Sequence, residues 1–210
     1  MDGKVKAAMA VPAVLAALLL GAVAPAVADA TEFTAAEYPA TITGTGGSEV
    51  FTAEGGTVSC ESIGYHGDLN EASEELSLAP SYADCKAFSF VGSTVSPEEC
   101  EYLLHLEGEA ITADIACPEG QAIKIAAGTC SVEIKPQTGL SSITVANGES
   151  DLQLTPEIEG IAYTVTNDGF LCPFGGTGEK EDGTLTASEP ITLKADHLDQ
   201  QYTSISFDVG

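Results

Sequence analysis

Apolar residues recur at every second position in one short run after another, and a period of two confines the chain to strands with one buried face. Val58 and Cys60 alternate with Thr57 and Ser59, Ile111, Ala113, Ile115 and Cys117 with Thr112 and Asp114, and Cys130, Val132 and Ile134 with Ser131 and Glu133. The same pattern returns at Leu76 and Leu78, Tyr102 to Leu106, Ile143 and Val145, Leu152 and Leu154, Ile161 to Val165, Ile191 and Leu193, and Ile205 to Val209. Threonine and β-branched residues fill these runs, as a pleated, half-buried surface favours. Helical periodicity is nearly absent, the best candidate being a single turn at Pro97-Glu98-Glu99-Cys100-Glu101.

Turn signals separate the runs: Gly55-Gly56, Gly67-Asp68, Asn147-Gly148, Asn167-Asp168-Gly169 and Asp182-Gly183. Such pairs supply the positive φ of tight hairpin turns. The pattern predicts an antiparallel β-sandwich, with barrel-like closure as its variant, of about ten to twelve short strands. Any seam would fall near Pro136 to Gly139, although nothing there reads as a flexible linker.

Residues 1–30 read as a cleaved signal peptide. Lys4 and Lys6 form the basic start, Ala10 to Leu20 the apolar stretch, and Ala26-Val27-Ala28 or Ala28-Asp29-Ala30 the cleavage site. Pro12, Gly21 and Pro25 break the stretch that a spanning helix of ~20 residues would need, so no membrane insertion is expected after cleavage. The remaining 31–210 reads as a single all-β domain.

Within that domain, 30 Asp plus Glu (32 less Asp2 and Asp29) face five lysines (seven less Lys4 and Lys6), and arginine is absent. A charge of that size favours a soluble monomer and excludes nucleic acid and anionic lipid as partners, because both are bound through Lys and Arg.

Six cysteines in an exported chain read as three disulfides. The short gaps, 14 residues from Cys85 to Cys100 and 12 from Cys117 to Cys130, suggest two local bridges, and elimination then joins Cys60 to Cys172.

The order of these features resembles a group of uncharacterised exported proteins of high-GC Gram-positive bacteria, six-cysteine and all-β. The resemblance rests on Thr31-Glu32-Phe33-Thr34 with Tyr38-Pro39, on Thr57-Val58-Ser59-Cys60, on Pro80-Ser81-Tyr82-Ala83-Asp84-Cys85 and on Glu99-Cys100-Glu101-Tyr102. It implies export and an all-β fold and carries no site residues.

Motifs of catalysis are missing: there is no Gly-x-Ser-x-Gly elbow, no His-Glu-x-x-His and no Cys-x-x-Cys. His66, His105 and His197 share no spacing, and His105 reads as a solvated strand residue. No cofactor is implied. Asn167-Asp168-Gly169 and Glu179-Lys180-Glu181-Asp182-Gly183 offer oxygen ligands suited to Ca²⁺, but they read first as plain hairpin turns, and Lys180 opposes the second. Phe170 and Phe174 flank Cys172 and either form a contact loop or fill the core beneath a disulfide. The expectation is therefore a non-catalytic extracellular module with a recognition or structural role toward a cell-surface partner. The alternatives are a hydrolase of polysaccharide or peptide and a carrier of a small apolar ligand.

Overall fold

The structure is a computed structural model; it describes residues 32–206 apart from 108, 109, 149, 150, 168, 170, 171, 173, 198, 199 and 204. The signal-peptide region, Asp168, Phe170, Phe207 and Val209 lie outside the described residues. Every strand pairing is antiparallel, and fourteen of the sixteen strands belong to one sheet.

The strands in chain order are β1 (Thr34–Ala35), β2 (Ala40–Gly46), β3 (Glu49–Ala53), β4 (Gly56–Leu69), β5 (Glu75–Ala87), β6 (Val91–Ser96), β7 (Glu101–Glu107) and β8 (Ala110–Ala116). There follow β9 (Ile123–Ala127), β10 (Cys130–Ile134), β11 (Gln137–Asn147), β12 (Leu152–Asn167), β13 (Gly178–Ala187), β14 (Ile191–His197), β15 (Gln200–Thr203) and β16 (Ile205–Ser206). The pairings resolve them into eight long staves. β2 and β3 lie end to end along β4 in one register, Ala40 opposite Leu69 and Glu49 opposite Cys60. In the same manner β6 and β7 follow β5, β8 and β9 follow that stave, and β10 and β11, then β13 and β14, flank the two sides of β12. Neighbouring staves are consecutive in the chain, and the last pairs with the first through β14 on β2 and β13 on β3. The sheet is thus a closed up-and-down barrel, an arrangement that leaves no long edge.

Only β4, β5 and β12 run the full length without interruption. Four of the five broken staves carry a proline at the break, Pro97, Pro118, Pro136 and Pro190, and the fifth carries Gly47. Proline has no N–H to give to a ladder, so each stops the pairing locally and lets the stave bend. Two of the three unbroken staves are irregular as well: Asp84 in β5 (φ 53°) and Gly160 in β12 (φ 74°) both adopt left-handed backbone. These interruptions between the two ends of the barrel mark its waist.

Side chains fill the interior. In β3 the inward residues are Glu49, Phe51 and Ala53, in β9 Ile123, Ile125 and Ala127, and in β10 Cys130, Val132 and Ile134. One contiguous core spans both halves. Two fully buried phenylalanines close the ends. Phe33 exchanges backbone hydrogen bonds with Ser73 in the β4–β5 connection (2.6 and 3.2 Å). Phe174 belongs to the segment after β12, at the opposite end, where the β3–β4, β5–β6 and β9–β10 turns also lie.

The disulfides differ from the expected set. They join Cys60 to Cys85, Cys100 to Cys117, and Cys130 to Cys172. Cys60 and Cys85 are direct partners across β4 and β5, and Cys100 and Cys117 fall one rung beyond the Glu101–Ala116 pair at the end of the β7–β8 ladder. Short sequence gaps misled because β6 and the break at Pro97 separate Cys85 from Cys100, while Pro118 and β9 separate Cys117 from Cys130. By loop closure the three bridges, spanning 25, 17 and 42 residues, stabilise the fold by about 3–4 kcal/mol each. Three intramolecular disulfides mark a chain suited to an oxidising environment.

Other local expectations change as well. Pro97 to Cys100 forms a tight turn closed by the Cys100 amide on the Pro97 carbonyl (2.9 Å), with Glu98 and Glu99 at positive φ, and not a helical turn. Gly67-Asp68 lies within β4 and Asp182-Gly183 within β13, where a Cβ on Gly183 would stand 2.7 Å from the Ile161 carbonyl oxygen. Close approach, not a turn, accounts for that glycine.

Candidate functional site

The break at Pro136 opens a broad concavity on the molecule. β10 pairs with β12 up to Glu133 opposite Thr164, and β11 resumes only at Ile143 opposite Pro156. Between those rungs, 157–163, no strand covers this flank of β12 among the described residues. The chain past Pro136 leans instead on β8, Gln137 facing Ile115 and Leu140 facing Ala113. A cleft of about 490 Å³ opens there, lined by Glu133, Lys135, Gln137, Tyr163, Glu179 and Glu181 among others. This volume lies within the ~300–1,000 Å³ of ligand sites.

One side chain spans the gap. The Gln137 amide donates from Nε2 to the Ala162 carbonyl (3.0 Å) and accepts at Oε1 from the Ala162 N–H (2.9 Å). This is the pair of hydrogen bonds that the N–H and C=O of one residue on a neighbouring antiparallel strand would make, supplied by a side chain because the main chain has moved away.

Electrostatically the cleft is acidic. Glu133, Glu179 and Glu181 line it, and Glu157 and Glu159 stand exposed along the uncovered run. Lys180 is engaged by Glu54 in the β3–β4 turn, which leaves Lys135 as the lining cation without an ion pair among the described residues. Tyr163 packs its ring edge-on against Phe51 (5.7 Å, 87°) and donates its hydroxyl to Asp182 Oδ1 (2.7 Å). Burial first, and then that carboxylate, pushes the Tyr163 phenol up, while the phenol's hydrogen bond is the chief cause holding Asp182 below its ordinary value.

A second polar group sits inside the waist. Glu49 is 3 % exposed and takes a hydrogen bond from Tyr65 Oη on Oε1, while Oε2 has no partner. Tyr102 shares a hydrogen bond with Tyr82 (2.7 Å between hydroxyls) and tilts against Tyr65 (6.3 Å between centroids). Room for Tyr65 comes from Gly44 directly across the ladder, where a Cβ would stand 2.8 Å from the tyrosine's own. Apolar cavities of about 40 Å³ adjoin Glu49 on either side, sharing Glu49 and Tyr102 as walls. Burial raises the Glu49 carboxyl to about 7, against the lowering effect of the tyrosine hydrogen bond. Burial is also the first cause raising the Tyr65, Tyr82 and Tyr102 phenols.

Of the residues singled out in the sequence, Phe174 is fully buried and offers no ring to a partner, and Phe170 lies outside the described residues. Asn167 turns its Oδ1 back onto the Gly169 amide (2.9 Å), and Glu179 to Gly183 form part of β13 and not a ligating loop. No cluster of three or more His, Cys, Asp or Glu side chains able to hold a metal occurs among the described residues. His105 is not a free surface group; it stands between Glu75 and Asp114, 3.2 Å from each. The exposed aromatics among the described residues fall elsewhere: Tyr38 before β2, and Phe88 and Phe90 on the β5–β6 turn, which stack (6.3 Å, 22°) with Phe90 81 % exposed.

Sequence reasoning missed Glu49, Gln137 and Ala162. Glu49 was legible in principle, since it falls in phase with Phe51 and Ala53 on an inward face. Comparison with protein-family models, with curated proteins and with solved structures finds no match.

Proposed function

We propose that this chain is a secreted, non-catalytic β-barrel module that recognises an extracellular partner through the cleft on the uncovered flank of β12. The observation that carries the reading is the contrast in space: about 490 Å³ of polar, solvent-facing cleft against two interior cavities of about 40 Å³. A drug-sized apolar ligand needs several hundred Å³, so the barrel interior suits side chains better than cargo. The cleft gathers carboxylates, one amide and two ammonium groups, of which Lys180 is paired with Glu54, a set suited to binding; Glu49, the one buried carboxyl among the described residues, is sealed from substrate. The basic and apolar leader and the three disulfides support export.

The test is a thermal-shift screen of the 31–210 domain against peptides, glycans and Ca²⁺, run beside the double variant Glu179→Lys, Glu181→Lys. The reading expects a ligand whose shift disappears in the variant. Turnover of a polysaccharide, peptide or ester that is lost on changing one Asp, Glu, Ser or His would overturn it.

A further inference from the structure

We infer that the cleft takes an extended, lysine- or arginine-rich polypeptide segment, which adds as a strand along 157–163 of β12 and displaces the Gln137 amide. The inference rests on the recognition reading above and names the ligand class. Three observations carry it, beginning with the register. β12 pairs with β13 along its other flank from Glu157 to Val165, with register shifts between Glu159 and Tyr163, while among the described residues no strand pairs with 157–163 on this flank, so that side of the run is vacant. At ~3.3 Å per residue the vacancy accommodates a strand of roughly six residues.

Next comes the occupant already present. Gln137 makes with Ala162 the pair of bonds that an added strand would make, and its side chain holds the two main chains farther apart than the ~4.8 Å of paired strands. An amide on a flexible side chain is a replaceable stand-in, because one residue of an incoming strand offers the same donor and acceptor through its own N–H and C=O and its neighbours continue the ladder. Main-chain pairing of this kind gives affinity without requiring a particular sequence.

Charge selects the class. Glu133, Glu157, Glu159, Glu179 and Glu181 border the run against Lys180, which Glu54 engages, and Lys135, which has no ion pair among the described residues, in a domain with no arginine. A cationic chain is attracted and an acidic one repelled, and attraction of this kind acts mainly through the association rate and weakens with salt.

The experiment titrates the 31–210 domain with a capped hexapeptide of alternating lysine and valine, and with the same peptide N-methylated at alternate amides, following backbone NMR shifts. Binding of the plain peptide should move the resonances of Gly160 to Thr164, weaken at least tenfold on N-methylation, and tighten severalfold in Gln137→Ala, where the competitor is gone. Should Gln137→Ala fail to fold, the N-methyl comparison on the unaltered domain decides alone. Equal affinity for both peptides at the cleft overturns strand addition and leaves the recognition site standing. Absence of binding by the lysine–valine peptide overturns the inference outright, and the recognition reading falls with it only if the glycan, peptide and Ca²⁺ screen also leaves the cleft undisturbed.

Discussion

Glu49 gives the most quantitative consequence of the structure. Its carboxyl lies in the waist with one oxygen unpartnered, and burial raises it to about 7 from 4.5. A group whose folded value lies above its unfolded one favours folding fully below the unfolded value, and that contribution is lost as pH rises through the folded value. At ~1.36 kcal/mol for each pH unit of displacement, this amounts to about 3 kcal/mol, most of which is lost between pH 5 and pH 8. Glu49→Gln removes the titration while keeping an acceptor for Tyr65. Urea unfolding of the disulfide-intact domain at several pH values should show the variant gaining roughly 2–3 kcal/mol on the parent from pH 5 to pH 8. The amide's own imperfect fit adds a constant offset, so the slope of the difference is the diagnostic quantity. A difference that stays flat across this range would refute the buried, unpaired carboxyl.

Other consequences are simpler to check. Tyr65→Phe removes the hydrogen bond that lowers the Glu49 carboxyl, so NMR titration of the Glu49 side chain should find its midpoint moved upward. Phe174→Ala should cost about 3–5 kcal/mol in urea unfolding because the ring is fully buried, whereas Phe90→Ser, on the exposed turn, should stay within about 0.5 kcal/mol. A non-reducing peptide map should recover Cys60 with Cys85, Cys100 with Cys117 and Cys130 with Cys172, and replacing both Cys100 and Cys117 by alanine should lower stability by about 3 kcal/mol.

How much of this was legible in the sequence depends on the range of the interaction. The alternation of Ile111 to Cys117 or Cys130 to Ile134 reports which face is buried, and it predicted the all-β antiparallel class. It does not report where a strand resumes after a proline. Hence staves interrupted at Pro97, Pro118, Pro136 and Pro190 read as separate short strands, and the continuity of β2 with β3 along β4 was hidden. Disulfide partners depend on that continuity: Cys60 meets Cys85 because the β4–β5 register is set by a turn at 70–74, far from either cysteine. The seam at Pro136 to Gly139 was visible as a break in pattern. Its meaning required knowing that β12 runs behind it and that Gln137 reaches Ala162 across 25 residues of chain.

The account depends most directly on the uncovered flank of β12, and amide hydrogen exchange in Gln137→Ala measures it. In the parent the Ala162 amide is held by Gln137 Oε1 alone on this flank, whereas Val165 lies where both β10 and β13 pair with β12. The account predicts that the variant loses protection at Ala162 by an order of magnitude or more while Val165 keeps its own. Unchanged protection at Ala162 would mean that main chain closes the seam, and the cleft as a strand-receiving site would be contradicted.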